Sequence, residues 1–202
     1  PNPTSRPLRS DGYLSVLAFG GPMYEVELKL PAALEPVRNR LAELGADRRG
    51  IVRQVDTYYD APDRSFAETD EALRLRRERR DGTEIQLTYK GPLVDDDSKS
   101  RREAETVVED AEALAAILEG LGFEPAATVR KERERFELDG YAVTLDTVEG
   151  VGEFVEIETT ATAAELDDAR EGAFEIVDRL GLDAGDCTRR SYLEMVLEGR
   201  SP

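Results

Sequence analysis

Several segments of this chain alternate at period two between apolar and charged side chains, and nothing else in it narrows the fold as much. In Tyr24–Leu30 one face reads Glu25, Glu27 and Lys29 while the other reads Val26, Leu28 and Leu30. Leu73–Arg76 sets Arg74 and Arg76 on one face, and Ile85–Lys90 sets Gln86, Thr88 and Lys90 together. Lys131, Arg133 and Arg135 follow at the same spacing. Thr144 and Asp146 then stand opposite Val143 and Leu145, and Glu156 and Glu158 opposite Val155 and Ile157. Period two belongs to β-strands with two unlike faces. The polar side of these strands is charged rather than merely hydrophilic.

Helical periodicity lies between the strands, giving an α+β chain. One helix follows Pro31, carries Leu34, Val37, Leu41 and Leu44, and stops at Gly45; a second starts at Asp110, carries Leu114, Ile117, Leu118 and Leu121, and stops at Gly122. A third opens with the capping-box pair Thr162 and Glu165 and runs through Leu166, Ala169, Ala173, Ile176, Val177 and Leu180 to Gly181. A short fourth covers Ser191 to Leu197. Glu-x-Glu pairs at 25/27, 103/105 and 156/158 each precede one of the three longer helices, although chance produces such pairs in an acidic chain. Residues 1–22, rich in Pro, Gly, Ser and Arg, read as a disordered leader, and residues 23–202 as a single domain.

Two architectures fit the strands. In one, an ordinary sheet lays its apolar side on the helices and its charged side in solvent. In the other, the strands close into a barrel with the apolar faces outward beneath the helices and the charges lining the lumen. A solvated face should mix Ser, Thr, Gln and Lys, whereas Glu and Arg dominate here, which argues for the barrel. A lumen holding Glu25, Glu27, Asp146, Glu156 and Glu158 needs compensation, because two carboxylates 4 Å apart repel by about 4 kcal/mol at an effective dielectric near 20. It calls for cations or raised pKa values, and oxygen-only clusters select hard ions such as Mg2+, Mn2+ or Ca2+. Lys29, Arg74, Arg76, Lys90, Lys131 and Arg133 in the same cavity call for an anion of several charges, and phosphate oxygens suit them. A polyphosphate chelating a divalent metal joins both sets.

Composition excludes other chemistry. The chain has no histidine, so no Ser-His-Asp or Cys-His nucleophile and no imidazole metal ligand can form. One cysteine makes no internal disulfide, and no apolar run approaches the ~18 residues of a membrane helix, so a cytoplasmic protein with no membrane partner is expected. A net charge of -17 argues against nucleic acid. Lysine occurs only at 29, 90, 99 and 131, and an acidic, Arg-rich, Lys-poor surface resembles that of proteins from salt-accumulating cells. A homodimer in salt is compatible with such a surface.

An ordered set of motifs resembles the CYTH superfamily, the triphosphate tunnel metalloenzymes. It comprises the Glu-x-Glu-x-Lys signature at Glu25–Lys29, then Gln54–Asp60, Ala72–Arg76, Thr88–Pro92, Arg102–Glu105, Lys131–Arg133 and Thr144–Gly150 leading to Glu156–Glu158. The YKGP segment at 89–92, VEGVGEFVEIE at 148–158 and the terminal RRSYLEMVL resemble the class IV adenylyl cyclase branch most. The resemblance implies a closed triphosphate tunnel of about eight antiparallel strands. It also implies a metal set of Glu25, Glu27, Asp146, Glu156 and Glu158 for Mg2+ or Mn2+, and a phosphate grip of Lys29, Arg74, Arg76, Lys90, Lys131 and Arg133, with Arg102 and Arg189 or Arg190 as further members. The catalytic residues would be Glu25, Glu27, Lys29, Lys90 and Lys131, and the third Glu pair, Glu103 and Glu105, would serve as salt-bridge partners.

The implied reaction converts ATP to cyclic AMP and pyrophosphate. Hydrolysis of inorganic, thiamine or nucleoside triphosphate would use the same residues, and a noncatalytic polyphosphate binder is a third reading. Other residues take plainer expectations: Tyr58 and Tyr59 as barrel packing, Cys187 as an inert small residue, Asp95-Asp96-Asp97 as a solvated loop tip, and Arg77 and Arg79 as surface ion-pair partners.

Overall fold

Among the described residues, eight strands form one antiparallel sheet and four α-helices punctuate it. The computed structural model describes residues 23–93 and 101–199, with the side chains at 23, 93, 101 and 102 excepted; the expected leader and the Asp95-Asp96-Asp97 loop tip lie outside the described residues. In chain order the elements are β1 (Met23–Pro31), α1 (Leu34–Glu43), β2 (Asp47–Asp60), β3 (Ala72–Arg79), β4 (Thr83–Leu93), β5 (Arg101–Val107), α2 (Ala111–Gly120), β6 (Glu124–Leu138), β7 (Tyr141–Val148), β8 (Gly152–Thr162), α3 (Leu166–Arg179) and α4 (Tyr192–Glu198). The spatial strand order is β1-β8-β7-β6-β2-β3-β4-β5.

The sheet curls strongly enough that Arg135 of β6 reaches Glu78 of β3 at 2.7 Å across the intervening β2. Closure is the point at which the expected barrel and the structure part. Among the described residues no ladder joins β1 to β5, so the sheet is a half-barrel with two edges. The edges nevertheless face one another, because Glu25 of β1 feels the charges of Lys90 on β4 and Glu103 on β5.

The convex face is apolar and lies under helices, as the alternation predicts. Val26 and Leu30 of β1, Phe136 and Leu138 of β6, Val143 and Leu145 of β7, and Val155 and Ile157 of β8 pack under Leu34, Val37 and Leu41 of α1 and Ala173, Ile176 and Val177 of α3. Tyr59, Leu73 and Leu75 pack under Ala111 and Leu118 of α2. On α2, Leu114 and Leu118 turn inward as expected, whereas Ile117 is 57 % exposed and Leu121, just past the helix, 64 %. A buried carboxylate ties α1 to the sheet, since Glu134 accepts from Arg38 Nε at 2.7 Å and from Arg48 Nε at 2.5 Å. Helix α3 passes so close to β7 that the Tyr141 hydroxyl fills the space a Cβ at Gly172 would need, and that hydroxyl donates to the Ala169 carbonyl at 3.0 Å.

Capping partly departs from expectation. Asp110 caps α2 through Ala113 N–H at 2.9 Å. At α3, Thr162 ends β8 and both its N–H and its hydroxyl donate to Glu165, so the reciprocal box does not form there. The capping box occurs instead at Ser191 and Glu194 before α4. That helix also breaks the rule of helices outside. Tyr192, Met195 and Val196 pack against Tyr58, Val129, Val148 and Phe154, which share the concave face of their strands, so α4 stops one end of the half-barrel from within. Tyr58 and Tyr59 both pack, on opposite faces. No helix among the described residues is long and apolar enough to cross a membrane.

Leu145 is 1 % exposed in the convex core. Leu145→Ala is expected to cost about 2–5 kcal/mol in urea unfolding at high salt, while Ile117→Ala stays within ~0.5 kcal/mol of wild type.

Candidate active site

A solvated sheet face and an enclosed one differ in a measurable way, and this one is enclosed. Asp146 is fully buried, Asp56 2 % exposed, Glu156 4 %, Arg133 6 %, Lys29 7 % and Lys131 8 %. Ionised groups tolerate such burial only when paired and hydrogen-bonded. Strand register supplies the partners, because opposite charges stand directly across from one another: Lys29 from Glu156, Arg133 from Asp146, Arg76 from Asp56 and Lys90 from Glu103.

The resulting network runs through four adjacent strands. Arg133 grips Asp146 with Nε at 2.7 Å and a second nitrogen at 2.5 Å, and the same guanidinium reaches Glu156. Lys29 Nζ bonds Glu156 at 3.1 Å and Glu27 at 3.2 Å, and Lys131 Nζ stands 3.5 Å from Asp146. Burial alone would raise the Glu156 pKa, yet Arg133, Lys131 and Lys29 hold its carboxyl well below the usual carboxylate range. Burial, reinforced by Arg133, brings the Lys131 ammonium down to about 8 against the pull of Asp146 and Glu156. On β2 and β3, Arg76 holds Asp56 bidentately at 2.7 and 2.6 Å, and these bonds outweigh burial to keep the Asp56 carboxyl low.

One cross-strand pair breaks the pattern. Glu27 of β1 faces Glu158 of β8 directly, and Glu25 joins them so that one oxygen from each lies within 4.8 Å of the others. Burial pushes Glu158 up to about 7, with Glu25, Glu156 and Glu27 adding to the rise against Arg133. Burial also raises Glu25, opposed by Lys90 and reinforced by Glu27 and Glu103. Three oxygen donors of like charge, two of them (Glu25 and Glu158) with raised pKa values, suit a hard divalent cation, so this acidic cluster could bind a metal.

The structure divides the expected residues. Of the five carboxylates, Glu25, Glu27 and Glu158 converge, whereas both oxygens of Asp146 and both of Glu156 are taken up by Arg133, Lys131 and Lys29. Among the expected cations, Lys29, Arg76, Lys131 and Arg133 lie in the enclosed network. Lys90 pairs with Glu103 at 3.3 Å, in keeping with the salt-bridge role expected of Glu103, whereas Glu105 accepts a hydrogen bond from the Thr88 hydroxyl at 2.9 Å. Arg74 forms no ion pair among the described residues; it donates to Thr88 at 3.3 Å, and its buried Nε lacks a partner. The Arg190 guanidinium is not brought into the network, because it turns to Glu198 of α4, leaving only its carbonyl near Lys29 Nζ at 3.5 Å. The side chain of Arg102 lies outside the described residues, although its backbone is in β5.

Sequence reasoning passed over Asp56, Glu78 and Tyr192. Asp56 was legible, being at even spacing from Gln54 and Tyr58 on a strand that faces Arg76. Glu78, which accepts from Arg135 at 2.7 Å and Gln54 at 2.6 Å, continues the Arg74/Arg76 alternation. Tyr192 lies in the terminal RRSYLEMVL motif, but nothing in the sequence assigns it a role, which depends on where α4 docks. Arg77 is paired at the surface with Glu112, at 3.3 Å, as expected.

Comparison with known proteins matches residues 23–192 to the CYTH domain. A Methanocaldococcus jannaschii protein named "Putative adenylate cyclase MJ0240" is 38% identical over 175 residues, 86% of this chain and 98% of its own length. "Adenylate cyclase CyaB" of Aeromonas hydrophila is 31% identical over 141 residues, 69% of this chain and 70% of its own. Among solved structures, the PH1819 protein of Pyrococcus horikoshii OT3 superposes with a TM-score of 0.78 at 41% identity, covering 88% of this chain and all of its own.

The raised Glu158 pKa fixes a sign. Its native value near 7 lies above the ordinary carboxylate value, so keeping it buried imposes a stability cost that is absent below about pH 4.5, grows as pH rises, and is full above about pH 7. In chelator-treated protein, Glu158→Gln is expected to raise Tm at pH 8 and to change it little at pH 4.5. Millimolar Mn2+ is expected to raise Tm at pH 8 in wild type and much less in Glu158→Gln.

Proposed function

Because this chain belongs to the CYTH domain family, we propose that it is a divalent-metal-dependent enzyme. In this reading it acts on a triphosphate held against the concave face, as a class IV adenylyl cyclase that converts ATP to cyclic AMP and pyrophosphate. The observation that carries the reading is the acidic cluster of Glu25, Glu27 and Glu158 set beside a bank of buried cations. The first calls for a hard cation and the second for a polyanion, and a metal-bearing triphosphate answers both. The names of the two curated relatives, both adenylate cyclases, support the choice of reaction.

Glu25, Glu27 and Glu158 would hold Mg2+ or Mn2+. Bound there, the ion supplies Lewis acidity toward a phosphoryl oxygen and toward the attacking hydroxyl. Arg74, with its buried Nε lacking a partner, offers the most available guanidinium for a phosphate. Lys90, half-buried and paired only with Glu103 among the described residues, is a second. Lys29, Lys131, Arg76 and Arg133 add positive field from fixed positions, which suits stabilisation of charge on a leaving pyrophosphate. Asp146 and Glu156 act here as orienting partners for Arg133, Lys131 and Lys29.

The 3′-oxygen of ATP would form a bond to the α-phosphorus as the bond from the α-phosphorus to the bridging oxygen breaks. With no histidine in the chain, the hydroxyl proton passes to a carboxylate or to water. A triphosphate seated further along the same bank would present its γ-phosphorus to water instead, and orthophosphate would be the product.

Incubation of the full chain with ATP and Mg2+ or Mn2+ in high salt tests the reading, with cyclic AMP and pyrophosphate as the expected products. Orthophosphate released from ATP or tripolyphosphate would replace the cyclase with a triphosphatase, and tight binding without either product would leave a polyphosphate-binding module. Glu27→Ala is expected to lower turnover at least about a hundredfold while the unfolding midpoint holds; wild-type turnover in that variant would remove the metal role. Arg74→Ala is expected to weaken tripolyphosphate binding about tenfold or more and adenosine binding hardly at all, as isothermal titration would show.

A further inference from the structure

Two lysines of the concave face end on the same aromatic ring. Lys29 Nζ lies 4.5 Å from the centroid of Tyr192, and Lys131 Nζ lies 4.9 Å from it, both within reach of cation–π attraction. Lys29 comes from β1 and Lys131 from β6, with β8 and β7 between them, so no direct strand pairing sets their relation. The ring that joins them is itself fixed. Tyr192 is 7 % exposed and stands edge-on to Phe154 at 5.3 Å. It opens α4 directly after the Ser191 capping box. The segment leading to it is pinned to β1, where Thr188 N–H donates to the Lys29 carbonyl at 2.8 Å.

The chemistry of the partner matters. A carboxylate holds an ammonium but cancels its charge. An aromatic face holds it by a quadrupole and adds no counter-charge; Lys29 already carries Glu156 at 3.1 Å and Glu27 at 3.2 Å, so the charge the ring leaves available to an arriving anion is chiefly that of Lys131. Lys131 depends on the ring most, because its carboxylate contact with Asp146 is long at 3.5 Å. The Tyr192 hydroxyl is buried without a hydrogen-bond partner among the described residues, so the useful part of the side chain is the ring.

We infer that Tyr192 is a positioning residue of the triphosphate site: its ring is a shared platform that aims Lys29 and Lys131 at the polyphosphate, and through it the terminal helix α4 sets the affinity for that anion. The inference rests on the polyphosphate reading above and adds to it a residue that touches neither the metal cluster nor the substrate. A polyphosphate-binding site with the same lysines but a disengaged α4 would hold them less well, because two long side chains would have to be ordered at the moment of binding.

Replacing Tyr192 by phenylalanine, trifluorophenylalanine and pentafluorophenylalanine keeps the shape of the ring while draining negative charge from its face. The probe is inorganic tripolyphosphate with Mg2+, titrated calorimetrically into the full chain, with Mn2+ alone and the unfolding midpoint as controls. Tyr192→Phe is expected to bind within about twofold of wild type. Affinity should then fall in order with fluorination, to about tenfold weaker for the pentafluoro ring, while Mn2+ binding holds. A flat or inverted series, or an equal loss for Mn2+ alone, would overturn the platform. If wild type itself binds no tripolyphosphate, the polyphosphate reading fails and takes this inference with it; if wild type binds and the series is flat, only the platform fails.

Discussion

Ionised side chains removed from water must find opposite charges close at hand, and the whole sheet is arranged around that demand. Asp146, Glu156, Arg133 and Lys29 are as buried as many of the leucines of the convex core. Leaving any one of them unpaired would cost several kcal/mol. Register is therefore doubly specified. A slip by one residue would send the charged set beneath α1 and α3 and the leucines and valines into the concavity. A slip by two would keep the faces but set Lys29, Arg133 and Arg76 against the wrong partners.

Against that background the meeting of Glu27 with Glu158, joined by Glu25, is a local violation, and burial together with the neighbouring carboxylates raises the Glu158 and Glu25 pKa values. Such departures from otherwise consistent design concentrate where chemistry is done. The contrast within one face is informative: the carboxylates that are satisfied by arginine and lysine orient those cations, and the ones left facing each other are suited to a metal. Arg74 is the counterpart among the cations, an interior guanidinium with no carboxylate of its own.

Helix α4 adds a second constraint. Without it, the apolar end of the concave face, formed by Tyr58, Val129, Val148 and Phe154, would lie open to water. A helix of seven residues has little stability of its own, so its packing onto that end and the lysine contacts of Tyr192 support one another. The half-barrel is thus blocked at one end by apolar packing, while the acidic cluster belongs to the β1 and β8 positions further along the strands.

Much of this was legible in the chain itself. Alternation identified the strands, their inner charges and their helix-covered face, because side-chain direction in a strand depends only on parity. Gly45, Gly122 and Gly181 marked helix ends through their left-handed backbone, and the same parity would have placed Asp56 on the inner face with Gln54 and Tyr58. What parity cannot supply is pairing. Which carboxylate meets arginine and which meets another carboxylate depends on register between strands far apart in sequence, so Asp146 and Glu156 were indistinguishable from Glu25, Glu27 and Glu158 until the sheet was assembled. The open seam between β1 and β5, the turn of Arg190 toward Glu198 and the seat of Tyr192 beneath two lysines are likewise products of long-range geometry. The sequence by itself determined which side chains face inward; only the tertiary structure decided which of them neutralise one another and which remain free for a ligand, because electrostatic energy depends on distances that no local pattern encodes.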